Sequence, residues 1–467
     1  MAVLFAVQDG LLDLDTPISE YLPAFRINSR FEEHPERIIT LRHLLSHRSG
    51  IVHDAPFGNN TDLEYGFEPH IESLSDSWLQ FPVGYCYSYS NGGIDLAGYL
   101  LQEVTGVPFA RYLREVVLAQ LGMMQSSADF DAIEPATDRA RGHWRRPDPL
   151  PLRFSMIPAG GLYSSIEDMA KYVMFHVNMG RVDGKQVLRK DLMREFHSIQ
   201  FALPGQRFGY ALGLIRNGFV TPYGVMHAGG GYGFFGWMAA YPGLKFGVIF
   251  LSNAQARNLS ADSFRFIDET IIRRRGLQLT APPPRSSMTA LDGEDPRVQY
   301  RIGRYGPRSP EIRRNGTGGT VEIGIYGAAY PIEFFEHDGR MIGLFGDNMA
   351  VEFLPDFGDQ RGAMMVYSLP HGNSNWNYYF FNDSPYDEYG PDRPEWAEYL
   401  GEYESHYHGR LLFTGTVHRR NGNLYWGEQK LTEHARGLFF TYDGWEVNFN
   451  EEPARIGHYR LRRVRGN

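Results

Sequence analysis

The chain has 467 residues, 42% of them hydrophobic and 22% charged, with a formal net charge of −9. That length predicts more than one core, and the composition belongs to a folded protein rather than a disordered one. The acidic balance gives no electrostatic footing for nucleic acid or an anionic membrane, and the single cysteine, Cys86, excludes an internal disulfide and a cysteine-built zinc site.

In chain order, MAVLFAVQDG reads as the end of a buried amphipathic helix stopped at Gly10. In ITLRHLLSHRSG, His43 and His47 stand four apart on a predicted helix, but no acidic third ligand accompanies them and no metal is expected there. The stretch YCYSYSNGG then leads into GIDLAGYLLQEVTG, whose apolar spacing predicts a helix ending at Gly106. Tyr89, Ser90 and Asn91 therefore sit where that helix starts, positions from which a phenol can carry a proton and an amide can grip a carbonyl. The structural alternative is that Asn91 caps the helix and Tyr89 packs. Cys86 has no His or Lys neighbour in sequence and reads as a small packed residue.

YGVMHAGGGYGFFGWMAAYPGLKFGVIFLSN reads as a β-hairpin turning at Pro242-Gly243, preceded by a glycine-dense run that starts at His227. Glycines there let a substrate lie against backbone, and the Gly230 N–H is a candidate oxyanion donor. Apolar runs such as FGVIFL are strand-sized and far short of a membrane span. A Pro-rich segment, 277–296, reads as a linker. Beyond it, 297–467 reads as all-β, with short alternating segments such as TVEIGIYG, RMIGLFG, AVEFL, NLYWG and WEVNF. This portion looks duplicated, as 297–381 and 397–467: Gly303-Arg-Tyr305 corresponds to Gly401-Glu-Tyr403, and HDGRMIGLFG to RNGNLYWGEQ. Glu404, His406 and His408 alternate onto one strand face, expected to be solvated rather than cation-binding, and NSNWNYYFFND is expected to be an apolar strand.

The run LLDLDTPISEYLPAF, ITLRHLLSHRSGI, YSYSNGGIDLAGYLLQEVTG, LGM, PAGGLYSSIEDMAKY and HAGGGYGFFGWMAAYPGLKFGVIFLSN, in that order over residues 1–276, resembles the serine β-lactamase/penicillin-binding family, nearest its class C β-lactamase, DD-peptidase and esterase branch. The resemblance implies an α/β (α+β) fold, an antiparallel sheet flanked by helices. The 297–467 portion resembles the lipocalin-like, barrel-like module appended to some members, which can shape the cleft, bind a ligand or mediate self-association.

By the same resemblance, Tyr89 and Asn91 match the YxN motif, the tyrosine a general base or proton shuttle and the asparagine a ligand for the substrate carbonyl. His227-Ala228-Gly229 matches the third motif, which assists proton transfer and substrate binding, with Gly229 and Gly230 lining the cleft. Ser90 is not the nucleophile in this scheme, and no cofactor is implied. The family's nucleophile is the serine of an SxxK helix. None of the five lysines here has a serine three positions before it, and no GxSxG replaces it. The resemblance therefore places the nucleophile and two opening strands ahead of Met1, leaving the apolar face of the first helix and a sheet edge without cover. The expected function is that of a serine hydrolase acting through an acyl-enzyme on ester or amide bonds; the alternative is a non-catalytic binding protein that keeps the cleft. Substrate and compartment stay open.

Overall fold

The computed structural model describes residues 1–58, 66–143, 152–202, 208–217, 223–254, 288–305, 310–315, 320–325, 327–337, 339–346, 349–356, 361–368, 377–379, 390, 393–407, 410–441 and 444–465. The helix Asn91–Thr105 organises the first portion. Leu96, Ala97, Leu100 and Leu101 give it an apolar stripe at helical spacing, and all four are buried. Ser90 accepts the Gly93 N–H at its start, and Gly106, at φ 66°, ends it in the left-handed conformation that glycine adopts freely.

Against this helix lies the first one, Ala2–Gln8. Its residues Ala2 to Ala6 are buried, as the amphipathic pattern predicts, in a core shared with the helical layer and with Val225, Met238 and Ala240 of the sheet, so this face is not left without cover.

Five antiparallel strands follow in spatial order: Phe208–Tyr210, Ile215–Asn217, Gly224–Gly231, Phe234–Tyr241 and Phe246–Ser252. Their alternation divides the sheet's two faces between two cores. Val225, Met238 and Ala240 join the helical core with Val173 and Val177, whereas Met226, Trp237, Ala239 and Tyr241 face the other way. The helix Ile166–Val177 approaches so closely that a Cβ on Gly247 would stand 2.1 Å from Val173 Cγ1. Glycine there sets the helix–sheet distance.

The second face is covered by the C-terminal portion. Within the segment read as linker, 277–287 lies outside the described residues, and Thr289–Leu291 forms a strand paired with Ala328–His337 in a nine-stranded antiparallel sheet. Ile342, Ala350, Leu354, Ala363 and Met365 of that sheet pack against Trp237, Tyr241, Cys86 and Tyr87. Residues 401–465 then close an eight-stranded antiparallel barrel, in which Gly401–Tyr407 pairs with both Arg410–Arg420 and Tyr459–Arg465.

The two segments that look alike in sequence open with the same local geometry. Each unit begins with a proline-led turn of helix, Pro296–Tyr300 or Pro394–Tyr399. Gly303 (φ 146°) or Gly401 (φ 151°) follows, and the next tyrosine but one donates its hydroxyl to the carbonyl four residues back: Tyr305 to Arg301 at 2.9 Å, Tyr403 to Tyr399 at 2.8 Å. The side chains of NSNWNYYFFND and His408 lie outside the described residues. Glu404 and His406 do meet, at 3.6 Å.

Candidate functional site

Every residue from Tyr85 to Asn91 has a distinct task. The Tyr85 hydroxyl donates to Pro355 O at 2.9 Å and accepts the Ala363 N–H at 2.8 Å, fastening the loop to the nine-stranded sheet. Cys86 is buried at that junction, with its thiol pushed well up by burial. Tyr87 packs edge-on against His47, and the Ser88 N–H donates to His47 O at 2.8 Å. Ser90 is the helix cap: its hydroxyl donates to Val52 O at 2.7 Å while accepting from Gly93 N. The capping role considered for Asn91 therefore belongs to its neighbour, and this leaves the Asn91 amide to donate to Asp54 Oδ1 at 2.7 Å.

Tyr89 stands in a ring of aromatic and imidazole groups. Its ring centroid lies 4.2 Å from His47, 5.7 Å from His53 and 6.4 Å from both Tyr210 and His227. Burial, together with the carboxylates of Asp54 and Asp95, pushes its phenol up to about 12, so the hydroxyl is held protonated at neutral pH. A proton can leave Tyr89 only if a cation stands beside it.

His227 lies on Gly224–Gly231, opposite Met238 in register, which turns its side chain toward the helical layer. Its Nε2 and the Tyr210 hydroxyl share a hydrogen bond of 3.0 Å, and burial keeps the imidazole neutral by lowering its pKa. Ala228, Gly229 and Gly230 beyond it are exposed. No atom comes within 4 Å of where a Cβ on Gly229 would stand, so the strand presents bare backbone to open space.

Two further residues of the site were not legible as such. His47 is past the end of its helix, Leu41–Leu45, at φ 59°, and does not share a face with His43. His43 instead completes a capping box with Thr40, so the pair does not converge on a metal. His47 Nδ1 accepts the Ser90 N–H at 3.1 Å, which places its proton on Nε2 in the neutral ring. That Nε2 is buried and finds no hydrogen-bond partner among the described residues. Asp54, 2% exposed, receives Asn91 as well as the imidazoles of His53 at 3.1 Å and His458 at 3.7 Å. Burial alone would raise its pKa; the two histidines and the Asn91 amide outweigh burial and hold it well below the carboxylate range. The SHRSG landmark was the available signal for His47, whereas nothing local marks Asp54 or His458.

Among the described residues no helix is long and apolar enough to cross a membrane. A family model described as Beta-lactamase matches residues 1–269. The chain is 31% identical over 185 residues to Beta-lactamase-like protein 2 of Dictyostelium discoideum, covering 38% of this chain and 33% of that protein. It is 30% identical over 165 residues to Esterase EstB of Burkholderia gladioli, covering 33% and 41%. The matches thus span well under half of those relatives. Among solved structures, the octameric penicillin-binding protein homologue from Pyrococcus abyssi superposes with a TM-score of 0.50 at 22% identity over 82% of this chain and 85% of that one, so the likeness in fold extends beyond the matched family region. With a family model matched over more than half of its length, this chain belongs to the Beta-lactamase family.

Proposed function

We propose that the cleft between Tyr89 and the His227 strand is the acyl-transfer site of a serine hydrolase acting on an ester or amide bond, with the nucleophile supplied by an SxxK serine outside these 467 residues. What supports this reading is that the Tyr89 ring lies 6.4 Å from that of His227, with Asn91 two residues on at the start of its helix and Ala228, Gly229 and Gly230 exposed beyond His227. Asn91 and the Gly230 N–H would hold the substrate carbonyl, the latter as its oxygen gains charge. As the serine oxygen bonds to the carbonyl carbon, its proton passes toward Tyr89, whose high pKa makes the phenolate a strong base once a lysine ammonium stabilises it. The same proton then goes to the departing amine or alcohol as the acyl–heteroatom bond breaks, and water releases the acyl group. The similarity to an esterase and to a penicillin-binding homologue supports this substrate class.

The test is covalent labelling of the protein isolated from its natural source, using a fluorophosphonate or penicillin probe. A label that Tyr89→Phe abolishes or strongly weakens supports the reading. A protein that takes no label at any probe concentration overturns it and leaves the alternative of a non-catalytic binding protein. Turnover by the 467 residues alone would refute the placement of the nucleophile.

A further inference from the structure

The barrel brings His458 to the neighbourhood of the YxN loop, into a set of groups that acyl transfer does not use. The turn Ile456–Tyr459 carries His458 against Asp54 of the first portion. His458 Nε2 lies 3.7 Å from Asp54 Oδ2, and His53 Nδ1 lies 3.1 Å from Asp54 Oδ1. All three ligand atoms fall within 4.8 Å of one another. Donors about 2.0–2.2 Å from a tetrahedral zinc ion are separated by roughly 3.4 Å; His53 stands 3.1 Å from one oxygen of Asp54 and His458 3.7 Å from the other, on either side of that spacing.

The chemistry of the donors agrees. Two imidazole nitrogens and one carboxylate oxygen are a donor set that zinc-class cations take, and Asp54 and His458 are both buried. His53 Nδ1 is buried yet makes no well-formed hydrogen bond. No lysine or arginine is among the groups that hold Asp54 ionised, which are His53, His458 and Asn91. The turn is fixed from within the barrel: Arg455 Nη1 donates to Gly457 O at 2.6 Å and the Gly457 N–H donates to Glu446 O at 2.8 Å.

We infer that His53, Asp54 and His458 form a site for a single divalent cation of the zinc class, clamping the barrel to the loop that carries Asn91. The carboxylate then serves the ion with one oxygen and the Asn91 amide with the other, so occupancy orients Asn91 through Asp54. The site is separate from the acyl-transfer reading and stands whether or not the protein is a hydrolase.

The experiment is metal binding by the 467-residue chain, freed of any polyhistidine tag and stripped with a chelator, then dialysed against Zn²⁺ or Co²⁺. One equivalent retained per chain, with visible d–d absorption of low-coordinate cobalt, is expected. His53→Gln and His458→Gln should each lower affinity at least tenfold. Near-UV circular dichroism and thermal melts identify which variants fold, and the two substitutions lie in different portions, so a folding failure in one leaves the other informative. Failure of the parent chain to retain one equivalent, or retention unchanged in a folded variant of either histidine, overturns the site.

Discussion

The two C-terminal units begin alike and end differently. Both start with a proline-led helical turn, a glycine and a tyrosine locked to the carbonyl four residues back. The second closes on itself, with Phe439, Leu424, Val447 and Trp396 buried in a core of its own. The first unit forms an open sheet among the described residues, and Ile342, Ala350, Ala363 and Met365 on its far face pack on the hydrolase-like sheet. The contrast is between a unit that closes around one core and a unit that has its own core, including Tyr305, Ile312 and Phe353, and also spends a second apolar face on covering the neighbouring sheet.

The strongest way to break this comparison is at the shared core. Trp237→Ala should cost about 3–5 kcal/mol in chemical denaturation and shift the transitions of the first portion and the nine-stranded sheet together. Independent shifts would mean that the two do not form one cooperative layer. Leu424→Ala, in the barrel core, should cost about 2–4 kcal/mol and leave that first transition in place.

Acid and base should act with opposite sign on the two regions. His197 is buried and lowered to about 3, by burial and then by Arg216, and it meets the likewise buried His176 at 2.9 Å. Above pH 6.5 both folded and unfolded states hold such a histidine neutral; as pH falls from there toward 3 only the unfolded chain takes up the proton, and the first portion loses stability. In the barrel, burial raises Glu446 to about 7 beside Arg455. The folded barrel keeps that proton where the unfolded chain releases it, so this contribution is complete below about pH 4.5 and is lost as pH rises through 7. Domain-resolved melts across pH 3–8 check both signs; transitions that move in parallel would contradict them. The smallest effect should come from the matched pair Tyr305→Phe and Tyr403→Phe, each about 0.5–1.5 kcal/mol by equilibrium unfolding, and equal if the two locks are equivalent.

Much of this fold was legible. The helix before Gly106, the turn at Pro242, and strands in TVEIGI, RMIGLF and NLYW stand where periodicity and turn residues place them. Tyr89, Asn91 and His227 could be proposed from sequence because motif spacing is local, and the fold brings the Tyr89 and His227 rings to 6.4 Å. The cap was misassigned between Ser90 and Asn91 because either side chain suits the first turn, and only the presence of Asp54 draws Asn91 away. Asp54 and His458 were illegible because 404 residues separate them, and neither has neighbours that mark it. The burial of Ala2–Ala6 was legible because its amphipathic pattern is local.

The double hydrogen bond of Tyr85 bears on how such chains can be recombined. Its hydroxyl grips Pro355 and Ala363, four residues ahead of Tyr89 in the same loop. A chimera joined at the proline-rich segment would exchange the covering sheet while retaining a tyrosine shaped for the old one. The inheritable boundary of the appended module therefore runs through the motif loop itself, and a graft that keeps the cleft in register has to carry Tyr85 and Cys86 with it.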